Sequence, residues 1–217
     1  MKLRYKITVG ILIFVFLFFS AVAVSISYTA DCPPAAEAAS GSTMKAVVYR
    51  CYGGPDVLEY ADIPMPVPAE HEVLVKVHAA GVNPLDWHFM RGSPFVMRLM
   101  TGIGAPKDAA LGRDFAGVVE AVGENVTRFK AGDRVYGGAN GAFAEYLVRR
   151  ETGSIALMPA NVSFEEAAAV PVAAITALQA LRDNGQLQAG QKVLINGASG
   201  GVGTYAVQIA KSMGAEV

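Results

Sequence analysis

An apolar run of strand length that stops in a cluster of glycines narrows the fold of this chain more than any other feature. Residues 192–217 read KVLINGASGGVGTYAVQIAKSMGAEV. Val193, Leu194 and Ile195 have the apolar, β-branched content of a short strand. From Val202 onward the apolar residues Ala206, Ile209, Ala210 and Met213 return at three- and four-residue spacing, as on one face of a helix. Lys211 falls in the last turn of that helix and Gly214 follows as its stop. Ala215, Glu216 and Val217 then open another strand. Strand, glycine turn, helix and the opening of a strand read as the first half of a dinucleotide-binding βαβ unit.

The glycines have a mechanical purpose. A diphosphate reaches a helix N-terminus only through a tight turn free of side chains, where unpaired N–H groups and the helix dipole hold its charge. The spacing here is Gly197-x-x-Gly200-x-x-Gly203 with Gly201 added, a variant of the commoner G-x-G-x-x-G pattern. The acidic residue that contacts the ribose is expected roughly 20 residues further on, past Val217. The pattern therefore predicts a longer native chain, by roughly 100–150 residues for a domain of ordinary size.

The other end of the chain reads differently. Lys2, Arg4 and Lys6 precede an uncharged stretch, residues 7–30, whose centre is GILIFVFLFFSAVAV. About 20 apolar residues cross a bilayer, so residues 1–30 are expected to form a single-span membrane anchor. A cleaved signal peptide is the alternative, with Ala36-Glu37-Ala38 a better cleavage site than Tyr28-Thr29-Ala30. The leading positive charges predict a cytoplasmic N-terminus with the rest outside, where a nicotinamide cofactor is scarce, so the side of the membrane stays open. Residues 31–43, DCPPAAEAASGST, read as a linker. Two cysteines, Cys32 and Cys51, exclude a disulfide framework; a single bridge between them stays open for an exported region, but the place of Cys32 in that linker weighs against it. Net charge is −1 with signs mixed, which gives no nucleic-acid surface.

Between the linker and the glycine turn the period is mostly two. Strands are expected over 45–50, 57–60, 72–80, 111–122, 133–136 and 143–148, with Gly and Pro turns between them. Asn83-Pro84 breaks the third strand and leads into a short helix at 85–90, and 91–108 reads as a loop. Residues 44–160 are thus a small β-rich, barrel-like domain. At Ser163-x-x-Glu166 a capping box opens helical sequence, and Pro171 starts a second helix that Asn184-Gly185 ends. Residues 161–217 are read as the start of the nucleotide-binding domain.

This combination resembles the medium-chain dehydrogenase/reductase superfamily, and within it the zinc-independent quinone oxidoreductase branch. The resemblance is carried by GVNPLD at 81–86, LGRDFAGVVEAVG at 111–123, FKAGDRVYG at 129–137, GAFAEYLV at 141–148, AAAVPVAAITALQAL at 167–181 and NGASGGVG at 196–203. It implies an α/β fold: a GroES-like barrel followed by the start of a Rossmann doubly wound parallel sheet. Zinc alcohol dehydrogenases place a metal-binding Cys where this chain has Asn83, and a His-Glu pair where it has Arg113-Asp114. They also carry a Cys-rich lobe that is absent here, and His71, His78 and His88 have no ligand spacing.

The resemblance implies hydride transfer from NADPH, with NADH as the alternative and no zinc, to a small electrophile: a quinone or an α,β-unsaturated carbonyl. Asn83 would lie beside nicotinamide and substrate, with Asp86 shaping the loop. His88 takes the place of a Tyr near the substrate in relatives, as a proton or hydrogen-bond donor. Thr176 would contact the cofactor, and Ala198, Ser199, Gly200, Gly201, Val202 and Gly203 would hold its diphosphate. Arg113 and Asp114 are expected to pair with each other. Relatives are often homodimers. The competing class is a non-catalytic, membrane-tethered binding or scaffold protein on a reductase fold, inactive as these 217 residues.

Overall fold

The structure, a computed structural model, describes residues 2–33 and 41–217, with side chains from 11–25, 28–33 and 41 onward. Residues 34–40, including most of the linker and the Ala36-Glu37-Ala38 triplet, lie outside the described residues. The chain opens with helix α1, Lys2–Ser27.

Five antiparallel strands form the main sheet, in the order β6-β3-β4-β5-β7. They are β3 (Glu72–Gly81), β4 (Asp114–Val122), β5 (Arg134–Gly138), β6 (Tyr146–Arg150) and β7 (Ile155–Leu157). A second, two-stranded sheet pairs β1 (Thr43–Tyr49) with β2 (Leu58–Pro64). It closes on the segments flanking the main sheet, where Val47 N–H donates to Phe143 O and Tyr49 N–H to Ala109 O. The resulting barrel encloses Val73, Val75, Phe115, Val119, Val135 and Leu147, all buried. Val73 and Val75 on β3, and Phe115 and Val119 on β4, keep to one face of their strands, as the two-residue period requires. Leu74 is buried as well, so β3 is covered on both faces at that point.

Helix α2 (Pro84–Arg91) follows β3, as Asn83-Pro84 predicts, and the loop after it contains the short α3 (Arg98–Thr101). The capping box forms as read: Glu166 N–H donates to Ser163 Oγ, and Ser163 N–H to Glu166 Oε2. It starts α4 (Phe164–Ala168), and Pro171 starts α5 (Pro171–Leu178), which runs on into a π-helical stretch to Asn184. Helix α6 (Gly201–Ser212) stops at Gly214, whose φ of 80° suits glycine.

Four expectations need correction. Val193, Leu194 and Ile195 form no strand; a ladder needs a neighbour alongside, and the pairing here stops at a parallel bridge between Lys192 and Glu216, with Val193 N–H donating to Glu216 O and Glu216 N–H to Gln191 O. The membrane anchor is overturned: among the described residues no helix is long and apolar enough to cross a membrane. Residues 28–32, set apart in the sequence as targeting and linker segments, dock on the barrel. Ala30 N–H donates to Gly104 O, and Arg98, 3% exposed, donates to Tyr28 O and Thr29 Oγ1, because a buried guanidinium needs acceptors. Finally, Cys32 and Cys51 form a disulfide, their Cα atoms 5.0 Å apart. The docked segment brings Cys32 to that distance, which the linker composition does not reveal.

Candidate functional site

The end of β3, the start of β4 and the first turn of α5 are tied together by one buried carboxylate. Asn83 leaves β3 in an extended conformation and caps α2, and its N–H donates to Asp86 Oδ2 at 2.8 Å. Its carboxamide Nδ2 donates to Asp114 Oδ2 at 3.1 Å. Asp114, 1% exposed, also accepts from Val172 N–H, 3.1 Å from each of its oxygens. That N–H belongs to the first turn of α5, where no intrahelical acceptor exists and the helix dipole favours an anion. Burial raises the pKa values of both Asp86 and Asp114 above the ordinary carboxylate value, and these hydrogen bonds oppose it.

Asn83, Leu85, Val172 and Ala173 face the glycine turn across a cavity of about 490 Å³, which Gly197, Gly200, Gly201, Val202 and Gly203 complete. The turn is as tight as a phosphate site requires. Gly197 has φ 74°, and a Cβ on Gly203 would lie 2.1 Å from Gly197 O. A Cβ on Gly201 would find open space, with Ala173 Cβ nearest at 4.0 Å. The first bond of α6 runs from Thr204 N–H to Gly200 O, so the N–H groups of Gly201, Val202 and Gly203 have no intrahelical acceptor. Three unpaired donors at the positive end of a 12-residue helix, with no side chain over Gly201, fit the diphosphate of a dinucleotide.

The structure brings Asn83, Gly200, Gly201, Val202 and Gly203 to this cavity, and leaves other expected residues off its lining. Ala198 and Ser199 belong to the same turn but are exposed. Thr176 is exposed, and its hydroxyl donates to Val172 O at 2.6 Å. His88 lies on α2, with Nδ1 2.7 Å from Ser93 O. Arg113 and Asp114 do not pair: Asp114, the first residue of β4, turns to Asn83, while Arg113 just before the strand lies over the Phe89 ring at 3.9 Å. Val172 and Ala173, and the bridging function of Asp114, have no local signal in the sequence, whereas Gly197 stands in the glycine spacing itself. Among the described residues no group of three or more His, Cys, Asp or Glu is placed to hold a metal ion.

The model of the alcohol dehydrogenase GroES-like domain matches residues 69–177. The human quinone oxidoreductase is 39% identical over 177 residues, covering 80% of this chain and 51% of that protein. Among solved structures, the quinone oxidoreductase from Coxiella burnetii superposes with a TM-score of 0.72 at 36% identity, over 80% of this chain and 55% of that one. The Escherichia coli quinone oxidoreductase complexed with NADPH gives a TM-score of 0.68 at 32% identity, over 79% of this chain and 50% of its own. The chain spans about half the length of the curated relatives it matches.

Proposed function

The chain belongs to the family of the alcohol dehydrogenase GroES-like domain, and we propose that its protein is an NADPH-dependent oxidoreductase, with NADH as the alternative donor. In this reading it passes hydride to a quinone or an α,β-unsaturated carbonyl without zinc. The observation that carries the proposal is the cavity of about 490 Å³ with the open helix N-terminus of α6 on one side and the fixed carboxamide of Asn83 on the other. The relatives named quinone oxidoreductases, one of them complexed with NADPH, support it.

When bound, a reduced nicotinamide supplies the hydride. The N–H groups of Gly201, Val202 and Gly203 would hold the diphosphate. Asn83 borders the reacting end, and Asp114 and Asp86 fix it from two directions, so little reorganisation is left for the transition state. Leu85, Val172 and Ile195 give the cleft apolar walls that keep water from the transfer. The reading without zinc rests on the residues at the position of the metal in zinc relatives. A carboxamide, a guanidinium and a carboxylate already committed to two partners are poor ligands for a cation. Without a Lewis acid the acceptor must be electron-poor, and for a quinone solvent can supply the proton.

The direct test is oxidation of NADPH by 1,4-benzoquinone in the presence of the protein. We expect turnover, and a loss of about tenfold or more in kcat/KM for Asn83→Ala, as for removal of one aligned polar contact. Cofactor binding without reduction of any quinone or enone would refute the proposed reaction.

A further inference from the structure

On the other side of α2, sharing no lining residue with the cleft, is a second cavity of about 280 Å³. That is at the small end of cavities that take organic ligands. Phe89, Met100 and Ala110 give it apolar walls, while Tyr49, Lys107 and Arg113 bring three hydrogen-bond donors to it.

Among the described residues no side chain or backbone carbonyl accepts a hydrogen bond from these three side chains. Arg113 stacks on Phe89 at 3.9 Å, and its Nε is buried without a partner. The Tyr49 side chain is 3% exposed, and burial first, then the neighbouring Tyr52, pushes its phenol up to about 12, so it stays a neutral O–H donor. Lys107 is exposed and forms no ion pair among the described residues. One carboxylate lies in the wall, Asp108, and it is engaged: Oδ1 accepts from Ala110 N–H and Oδ2 from Asn140 Nδ2. A second carboxylate, Asp86, acts on Arg113 electrostatically from outside the cavity but forms no hydrogen bond with it, and its Oδ1 is itself unpaired. The other hydroxyl, Thr101 Oγ1, is shared with Tyr52 and Met97 O. Two cations and a phenol around a small cavity with aromatic walls, against one engaged carboxylate in the lining, leave a surplus of donors, and an anionic acceptor satisfies it most strongly.

We propose that this cavity binds a small planar carboxylate, with the anionic group on Arg113, Lys107 and Tyr49 and the flat body against Phe89 and Met100. The inference does not rest on the oxidoreductase reading, since binding alone reports it.

The probe is benzoate, titrated calorimetrically into the protein, with benzamide as its neutral isostere and inorganic phosphate as an anion without a flat face. Benzoate is expected to bind about tenfold or more tightly than benzamide, the difference that one charge-assisted hydrogen bond makes. It should also bind more tightly than phosphate, and more weakly as salt is added. Lys107→Gln, on an exposed loop and so harmless to folding, should lower benzoate affinity several-fold, as should Arg113→Gln in a protein that still melts cooperatively. Equal binding of benzoate and benzamide, preference for phosphate, or a Lys107→Gln protein with unchanged affinity would each overturn the assignment. So would the absence of benzoate binding.

Discussion

Asp114 is the residue at which fold and site meet, because its two oxygens serve a side chain of α2 and the backbone of α5 together. Asparagine at this position would turn an NH₂ group toward one of two donors, Asn83 Nδ2 or Val172 N–H. Asp114→Asn should therefore cost about 1–3 kcal/mol of stability, the penalty for one buried unsatisfied group. It should also lower kcat more than it raises KM if Asn83 is displaced at the reacting end. The pH dependence gives a second reading. Burial raises the folded pKa of Asp114 above its ordinary 3.8, so its contribution is greatest below that pH and is lost as pH rises through the folded value. Chemical denaturation across that window should show a shallower fall of stability with pH in Asp114→Asn than in the wild type. The same slope in both would deny the carboxylate its environment.

At the scale of elements, the turn before β5 is anchored by Glu151 just past β6. Its Oε2 accepts from Thr127 N–H and Arg128 N–H, bonds that hold its pKa below the ordinary 4.5. A lowered carboxylate pKa stabilises the fold above that ordinary value, and the gain disappears as pH falls through the folded value. Glu151→Gln should thus be less stable than wild type near neutrality and equal to it in acid, as thermal melts at the two pH values would show. Local signals made many elements legible in advance. Ser163 and Glu166 cap α4, Pro171 starts α5, Asn83-Pro84 starts α2, and the period of two in residues 72–80 marks β3. Long-range pairing was not legible. β7 is three residues long and exists through its pairing with β5, and residues 193–195 have strand composition without the neighbour that would make them one. At the site, the glycine spacing revealed the turn that faces the cleft, while Val172 and Ala173 enter it only because α5 packs beside α6.

For the whole molecule, the docked segment 28–32 and the disulfide that fastens it are what composition concealed most completely. Cys32 and Cys51 are 19 residues apart, and closing a loop of that order restricts the unfolded chain by about 3 kcal/mol. Reduction, or Cys51→Ser, should lower the melting temperature by roughly 6–12 °C in a protein of this size. An unchanged melt under reducing conditions would mean that the bridge contributes nothing to the fold. The central claim, that the glycine turn and Asn83 enclose a nucleotide cleft, is tested most directly by the affinity of NADPH for the wild type and for Gly201→Val. The position tolerates a Cβ, with its nearest neighbour at 4.0 Å, so this variant should keep the wild-type melting temperature. Its branched side chain would nevertheless stand where the diphosphate approaches. NADPH affinity should fall by about tenfold or more with the melt unchanged, as for a backbone anion site that is sterically blocked. Wild-type affinity in Gly201→Val would contradict it.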